Sequence, residues 1–82
     1  MTTKRTAEMI CAVYEYVQAE HARSLVRKRR TGDDEAQGRC DVARLVESMM
    51  NDYEDVLLAA GAENRISELV AAEERNWLTL AA

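Results

Sequence analysis

Hydrophobic residues recur along nearly the whole chain with the spacing of an α-helix, and no segment alternates as a β-strand does. Proline is absent, and the chain is rich in Ala, Glu, Arg, Leu and Met, which are good helix formers. Gly32 and Gly61 divide the pattern into three parts. We therefore predict an all-α fold with an antiparallel three-helix arrangement. A long helix 1 over about 4–30 turns in a hairpin to helix 2, over about 34–60, and a shorter helix 3 covers about 63–80.

The turn between the first two helices has clear capping residues. Gly32 can adopt the left-handed conformation that ends a helix. Asp33 and Asp34 are both candidate N-caps for helix 2. Gly38 lies just inside that helix, so a start nearer Arg39 is the alternative.

Helix 2 carries the most regular signal in the chain. Its larger hydrophobic residues repeat with alternating spacings of four and three, which is a heptad seam. Further hydrophobic residues flank the seam and widen it to a stripe, which we expect to face the core. The seam consists of Val42, Val46, Met49, Tyr53, Val56 and Ala60, and the flanking residues are Leu45, Met50 and Leu57.

The boundary between helices 2 and 3 leaves an alternative open. Gly61 closes the heptad seam and Asn64 can cap a new helix, which favours a break. An interior glycine costs a helix only about 1 kcal/mol, however, so one kinked rod is the alternative.

The composition limits how much core the chain can build. The 82 residues form one small domain, 1–82, and 48% of them are hydrophobic, but thirteen of these are alanine and none is phenylalanine. Alanine buries little area, so a lone monomer of this size has marginal stability. We therefore expect a protein partner or a second copy, in a homodimer, to complete the fold.

Charge is distributed unevenly on the two sides of Gly32. Residues 1–31 carry seven Lys or Arg against three Glu, a net +4, whereas residues 32–82 carry four Arg against twelve acids, a net −8. The cations at the end of helix 1 suit its dipole and can pair with the acids after the turn. The alternative interpretation is that these cations contact the phosphate groups of a nucleic acid. This basic cluster consists of Arg23, Arg27, Lys28, Arg29 and Arg30.

No motif for catalysis, a cofactor or a metal is present. The chain has no glycine-rich phosphate loop, and Cys11 and Cys40 lack metal-site spacing. We predict that both are reduced thiols of a cytoplasmic protein, since no apolar run is long enough for a membrane span. We predict a non-enzymatic protein with neither cofactor, metal nor small-molecule substrate.

Two polar residues lie at positions where a hydrophobic residue would fit. His21 shares a helix face with hydrophobic neighbours, and we predict that it is buried and hydrogen-bonded rather than a metal ligand. Glu73 interrupts the apolar stripe of helix 3. It lies either at the edge of that stripe or against a cation such as Arg44 or Arg65.

Surplus aromatic residues beside charge indicate a protein-binding surface. Two tyrosines stand two residues apart on helix 1, so they cannot face the same way and one must leave the core. Three arginines share one face of the same helix, and a tryptophan near the chain end is either a partner anchor or part of a homodimer contact. The candidate partner-binding residues are Tyr14, Tyr16, Arg23, Arg27, Arg30 and Trp77.

In size, acidity, absence of proline and lack of catalytic motifs, the chain resembles small phage-encoded proteins that block host machinery, anti-CRISPR proteins among them. The resemblance covers the general character of all 82 residues and depends on no motif, so it assigns no functional residues. It implies an inhibitor that occludes a surface of a larger host protein. The alternatives are a nucleic-acid-binding regulator that uses the basic cluster, and a bacterial adaptor or accessory subunit.

Overall fold

Helix α1 is the central element, and both α2 and α4 pack along it. The computed structural model describes residues 3–81, and the predicted domain also includes residues 1, 2 and 82, which lie outside the described residues. No strand occurs among the described residues, so the predicted all-α class is confirmed. The helices are α1 (Lys4–Thr31), α2 (Asp34–Met49), α3 (Glu54–Ala59) and α4 (Ile66–Ala81), and a 3₁₀ turn over Met50–Tyr53 joins α2 to α3.

The turn from α1 to α2 is capped on both sides. Gly32 has φ 70°, in the left-handed region, and its N–H donates to the carbonyl of Lys28 at 2.8 Å. Asp33 caps α2, because its Oδ1 accepts a hydrogen bond from the backbone N–H of Glu35 at 2.9 Å. Gly38 lies inside α2 without interrupting it, so the alternative start near Arg39 is wrong.

The predicted continuous helix over 34–60 is wrong in its middle. Helix α2 ends at Met49, and the next four residues include Asn51 and Asp52, which are residue types with low helix propensity. A 3₁₀ helix has 3.0 residues per turn instead of 3.6, so four such residues rotate the following segment by roughly 80°. This rotation is consistent with the burial of Leu57 on α3, which packs against α1.

Helix α2 packs on α1 through its small residues and not through the predicted seam. Ala36, Cys40 and Ala43 are buried, and small side chains allow two helix axes to approach closely. None of the six seam residues is buried. Of the flanking residues, Met50 and Leu57 are buried as expected, but Leu45 is exposed. Much of the most regular apolar stripe in the sequence therefore faces outward.

The predicted break before the last helix is confirmed. Gly61 has φ 73°, and the N–H of Ala62 donates to the carbonyl of Leu57 at 2.9 Å, as in a Schellman motif. Asn64 then accepts a hydrogen bond from the N–H of Ile66 through its Oδ1 at 3.1 Å, so α4 begins at Ile66.

Helix α4 runs in the same direction as α1. Its first turn lies beside Gln18, which bonds to the backbone of Arg65, and further along Glu74 pairs with Arg30 near the end of α1. Since α2 returns from a tight turn after α1, it is antiparallel to both. The three-helix arrangement predicted from the sequence is therefore present, with α4 as its third helix.

Candidate protein-binding surface

More large hydrophobic side chains are exposed than buried. Among the described residues the buried hydrophobic set contains three alanines and one cysteine, and its only larger members are Val17, Val26, Met50 and Leu57. Monomeric soluble proteins rarely leave contiguous apolar patches uncovered, and such patches mark interaction sites. The exposed large hydrophobic residues are Met9, Val13, Tyr16, Val42, Leu45, Met49, Tyr53, Leu58, Leu78 and Leu80.

A groove between α1 and α2 gathers part of this exposed surface. It has a volume of about 620 Å³, and Tyr16 of α1 and Val42 of α2 line it from opposite sides. Met9 and Val13 precede Tyr16 by seven and three residues, so they lie on the same side of α1. We call the exposed apolar surface of α1, α2 and the 3₁₀ turn after α2 the hairpin face; it consists of Met9, Val13, Tyr16, Val42, Leu45, Met49 and Tyr53.

A second groove, of about 200 Å³, lies where the end of α1, the start of α2 and the end of α4 meet. We call it the end groove and define it by Arg23, Arg27, Glu73, Trp77 and Leu80. Three of the six predicted contact residues, Arg23, Arg27 and Trp77, therefore come together here. The groove combines an indole and a leucine side chain with two guanidinium groups, a common composition for a protein contact.

The arginines of the end groove have acidic neighbours but are still accessible. Arg27 donates a hydrogen bond from Nε to Oδ2 of Asp33 at 3.0 Å, and Arg23 lies 3.7 Å from Oε2 of Glu20. The hydrogen bond from Arg27 and the bond from the backbone N–H of Glu35 together hold the pKa of Asp33 below its ordinary value of 3.8. Both arginine side chains are more than half exposed, so they can also contact a partner.

The other cations of the predicted basic cluster divide into two groups. Arg30 pairs with Glu74 of α4, whereas Lys28 and Arg29 form no ion pair with any other described residue. Arg39, which also lines the end groove, pairs with Glu35 at 2.9 Å. The predicted pairing across the turn is thus made by Arg27 with Asp33.

The two tyrosines of α1 lie in different surroundings. Tyr16 is 67% exposed, on the hairpin face, so it is the tyrosine that leaves the core. Tyr14 is partly buried beside Met50 and Leu57 in a separate cavity of about 400 Å³. Tyr14 is therefore not brought together with the other predicted contact residues.

His21 is buried and hydrogen-bonded, as predicted. It is 8% exposed and donates from Nδ1 to Oε1 of Glu47 on α2 at 2.8 Å. Its Nε2 is also buried and has no hydrogen-bond partner among the described residues. The pair joins α1 to α2 and involves no third functional group.

Glu73 is partly buried in the end groove and meets neither of the cations suggested for it. Arg65 pairs instead with Glu68 at 3.2 Å, and Arg44 is exposed. The position of Glu73 therefore agrees with the alternative in which it lies at the edge of the apolar stripe.

Sequence reasoning missed the outward direction of the α2 stripe. A signal for it was present, because Ala36, Cys40 and Ala43 have the same spacings of four and three on another side of that helix. A regular row of small residues also indicates a surface for helix packing, because it lets a neighbouring helix approach closely. Arg39 and Leu80 were also missed as groove residues.

The comparisons with known proteins give no relative: no protein-family model matches the chain, and no curated protein or solved structure is similar to it. Within residues 3–81, no helix has both the length and the apolar character needed to cross a membrane. In the same range, no three His, Cys, Asp or Glu side chains form a group that could hold a metal ion. The function therefore has to be inferred from the surfaces of the chain itself.

Proposed function

We propose that the protein is a non-enzymatic helical interaction module that covers a surface of a larger host protein. The observation that supports this proposal is the apolar surface of the end groove, where the exposed Leu80 lies beside the partly buried Trp77. A chain with so small a core gains stability when foreign apolar surface covers these residues.

The end groove is the surface that we assign to the partner. Trp77 and Leu80 supply apolar area, and aromatic and arginine side chains are the groups most often found at the energetic centre of an interface. Arg23 and Arg27 lie beside them and attract carboxylates during encounter. The partner should therefore present an apolar side chain with acidic residues around it.

The mechanism that we propose is stoichiometric occlusion, as in small phage-type inhibitors of the anti-CRISPR kind or in other host-takeover proteins. A cytoplasmic setting is part of this proposal, in keeping with two free cysteines and no disulfide among the described residues. A bacterial adaptor or accessory subunit would use the same surface but would leave its partner active.

A nucleic-acid-binding regulator is the alternative from another class, and the charges of the chain weigh against it. Arg30 pairs with Glu74, and the net charge of −4 opposes approach to a phosphate backbone. A gel-shift titration at low salt separates the two classes, since phosphate contacts weaken steeply as salt rises. A salt-sensitive shift by the purified chain would favour the regulator.

The test begins with crosslinked affinity capture from a bacterial lysate and continues with the purified partner. We compare Trp77→Ala with Leu78→Ala, because Leu78 is an exposed neighbour that does not line the end groove. Trp77→Ala should raise the dissociation constant for the partner by about 30-fold or more, because it removes an anchor. Leu78→Ala should change that constant by no more than about threefold. Equal affinities of the two variants, or no saturable binding, would contradict the proposal.

The partner's own activity then distinguishes an inhibitor from an adaptor. The protein is titrated into the partner at concentrations well above the dissociation constant. Activity that falls to its minimum at one equivalent supports occlusion. Activity that is unchanged or raised at saturation supports the adaptor and contradicts the inhibitor.

A further inference from the structure

The hairpin face points to a second copy of the same chain. We propose that two copies form a symmetric dimer in which the α2 helices pack antiparallel and the two α1–α2 hairpins build a four-helix core. The hairpin face shares no residue with the five that define the end groove, although Arg39, which takes part in the charge contacts of the proposed dimer, also lines that groove. Leu45 does not line it, so Leu45→Arg can abolish the dimer without touching the surface assigned to the partner.

The first observation is an uncovered apolar row on α2, formed by two residues of the seam and the flanking Leu45. Val42, Leu45 and Met49 are each about three-fifths exposed, although they follow heptad spacing. The side of α2 that packs on α1 is a different one, formed by Ala36, Cys40 and Ala43. Helix α2 thus has two apolar sides, and in one copy of the chain only one of them is covered.

The second observation is the size of the uncovered surface. The seven side chains of the hairpin face are between 45% and 67% exposed. A standard interface buries about 800 Å² on each partner, and roughly 60% of it is apolar. Seven large side chains, each about half exposed or more, can therefore supply the main apolar contribution to an interface of this class.

The third observation is the order of hydrophobic and charged residues along α2 and the 3₁₀ turn. This order lets the segment pair with a reversed copy of itself. Val42 and Met49 lie equally far from the midpoint between Leu45 and Val46, and so do Arg39 and Asp52. In a symmetric antiparallel pair, equidistant residues face each other across the axis. Val42 would then meet the Met49 of the other copy, and Arg39 would meet its Asp52.

Charge selects the antiparallel orientation over the parallel one. In a parallel pair, Arg39 would face the Arg39 of the other copy, and Asp52 would face its Asp52. Both are contacts between like charges, which repel. Arg39 is more than half exposed even though it pairs with Glu35, so its guanidinium is available to a second carboxylate. A helix of another protein could also cover Val42 and Met49. It would need an acid opposite Arg39 and a cation opposite Asp52, which a second copy of this chain already has.

Sedimentation equilibrium on the full chain tests the proposal with a matched pair of substitutions. We expect wild-type protein at twice the chain mass of 9.3 kDa. Leu45→Arg should raise the dimer dissociation constant by about 100-fold, because it buries an unpaired charge at the axis. Leu58→Arg is the control, since Leu58 is 68% exposed against 62% for Leu45 but lies outside the hairpin face.

Two charge substitutions test the register without changing the apolar surface. Arg39→Asp and Asp52→Arg alone should each weaken the dimer by about tenfold, because each places like charges opposite each other. The double variant restores opposite charges at both sites and should recover most of the affinity. Circular dichroism on each variant shows whether it has kept its helices, so loss of the dimer can be separated from loss of the fold.

Several results would overturn the proposal. One is a wild-type chain that stays monomeric at its highest soluble concentration. Another is a dimer that Leu45→Arg and Leu58→Arg weaken equally, which would place the interface elsewhere. A double charge variant no tighter than either single variant would reject the antiparallel register.

Discussion

The buried side-chain amide of Gln18 accepts a hydrogen bond from the backbone N–H of Arg65 at 2.5 Å, across 47 positions of the chain. Its Nε2 donates to the carbonyl of Glu63 at 3.1 Å. One side chain of α1 thus pairs with two backbone groups of the loop that leads into α4. This contact fixes where α4 begins and where it lies against α1.

Replacing Gln18 with leucine should destabilise the fold strongly. The substitution removes both hydrogen bonds, at a cost of about 1–3 kcal/mol. Gln37→Leu is the control, since the Gln37 amide bonds only to the neighbouring Asp41 side chain on the surface. Urea unfolding followed by circular dichroism should separate the two variants. Equal stability would show that Gln18 does not hold the loop.

The bond between His21 and Glu47 predicts a second difference in stability. Glu47→Ala removes the acceptor of a buried imidazole whose Nε2 already has no partner, which should cost about 1–3 kcal/mol. Glu68→Ala removes a carboxylate that pairs with Arg65 on the exposed surface, and should change stability by no more than about 0.5 kcal/mol. Urea unfolding measures the loss of stability in both variants. A loss in Glu68→Ala that equals or exceeds the loss in Glu47→Ala would contradict the prediction.

The lowered pKa of Asp33 predicts a pH-dependent coupling with Arg27. Because the folded-state pKa lies below 3.8, the ionised carboxylate stabilises the fold above that pH, and the stabilisation is lost as the pH falls through the folded value. A double-mutant cycle of Asp33→Asn and Arg27→Gln isolates the pair, and asparagine can still cap α2. The coupling should be constant near neutral pH and disappear in acid. A coupling that is unchanged in acid would contradict this assignment.

Two glycines should respond to alanine with opposite signs. Gly38 lies inside α2 with open space where a Cβ would be added, so Gly38→Ala should stabilise the protein by about 0.5–1 kcal/mol. Gly61 also has open space but a φ of 73°, so Gly61→Ala should destabilise by about 1–2 kcal/mol. Thermal and urea unfolding of the two variants test this contrast, and a shift of the same sign in both would refute it.

Local signals in the sequence predicted the breaks at Gly32 and Gly61 well, but not the end of α2 at Met49. Gly32, Gly61 and Asn64 act through the backbone of their nearest neighbours, so their roles can be read from a short window. The burial of His21 followed from its helix face in the same way. Contacts such as that of Gln18 with Arg65 depend on how distant segments pack, and no local pattern encodes them.

The orientation of α2 shows where periodicity stops being informative. A heptad pattern states which residues share a side of the helix, but it does not state which side faces the rest of the same chain. Val42, Leu45 and Met49 were therefore predicted as core, although Cys40 and its small neighbours take that place. The structure brings only three of the six predicted contact residues together, because the end groove depends on where α4 meets the other helices.

The unequal accessibility of the two cysteines provides a natural measure of how often the helices separate. Cys40 is completely buried between α2 and α1, whereas Cys11 is partly exposed. A thiol-specific reagent can therefore modify Cys11 in the folded protein, but it reaches Cys40 only during the moments when α2 moves away from α1. The rate of the second modification would report those openings directly in the unmutated chain.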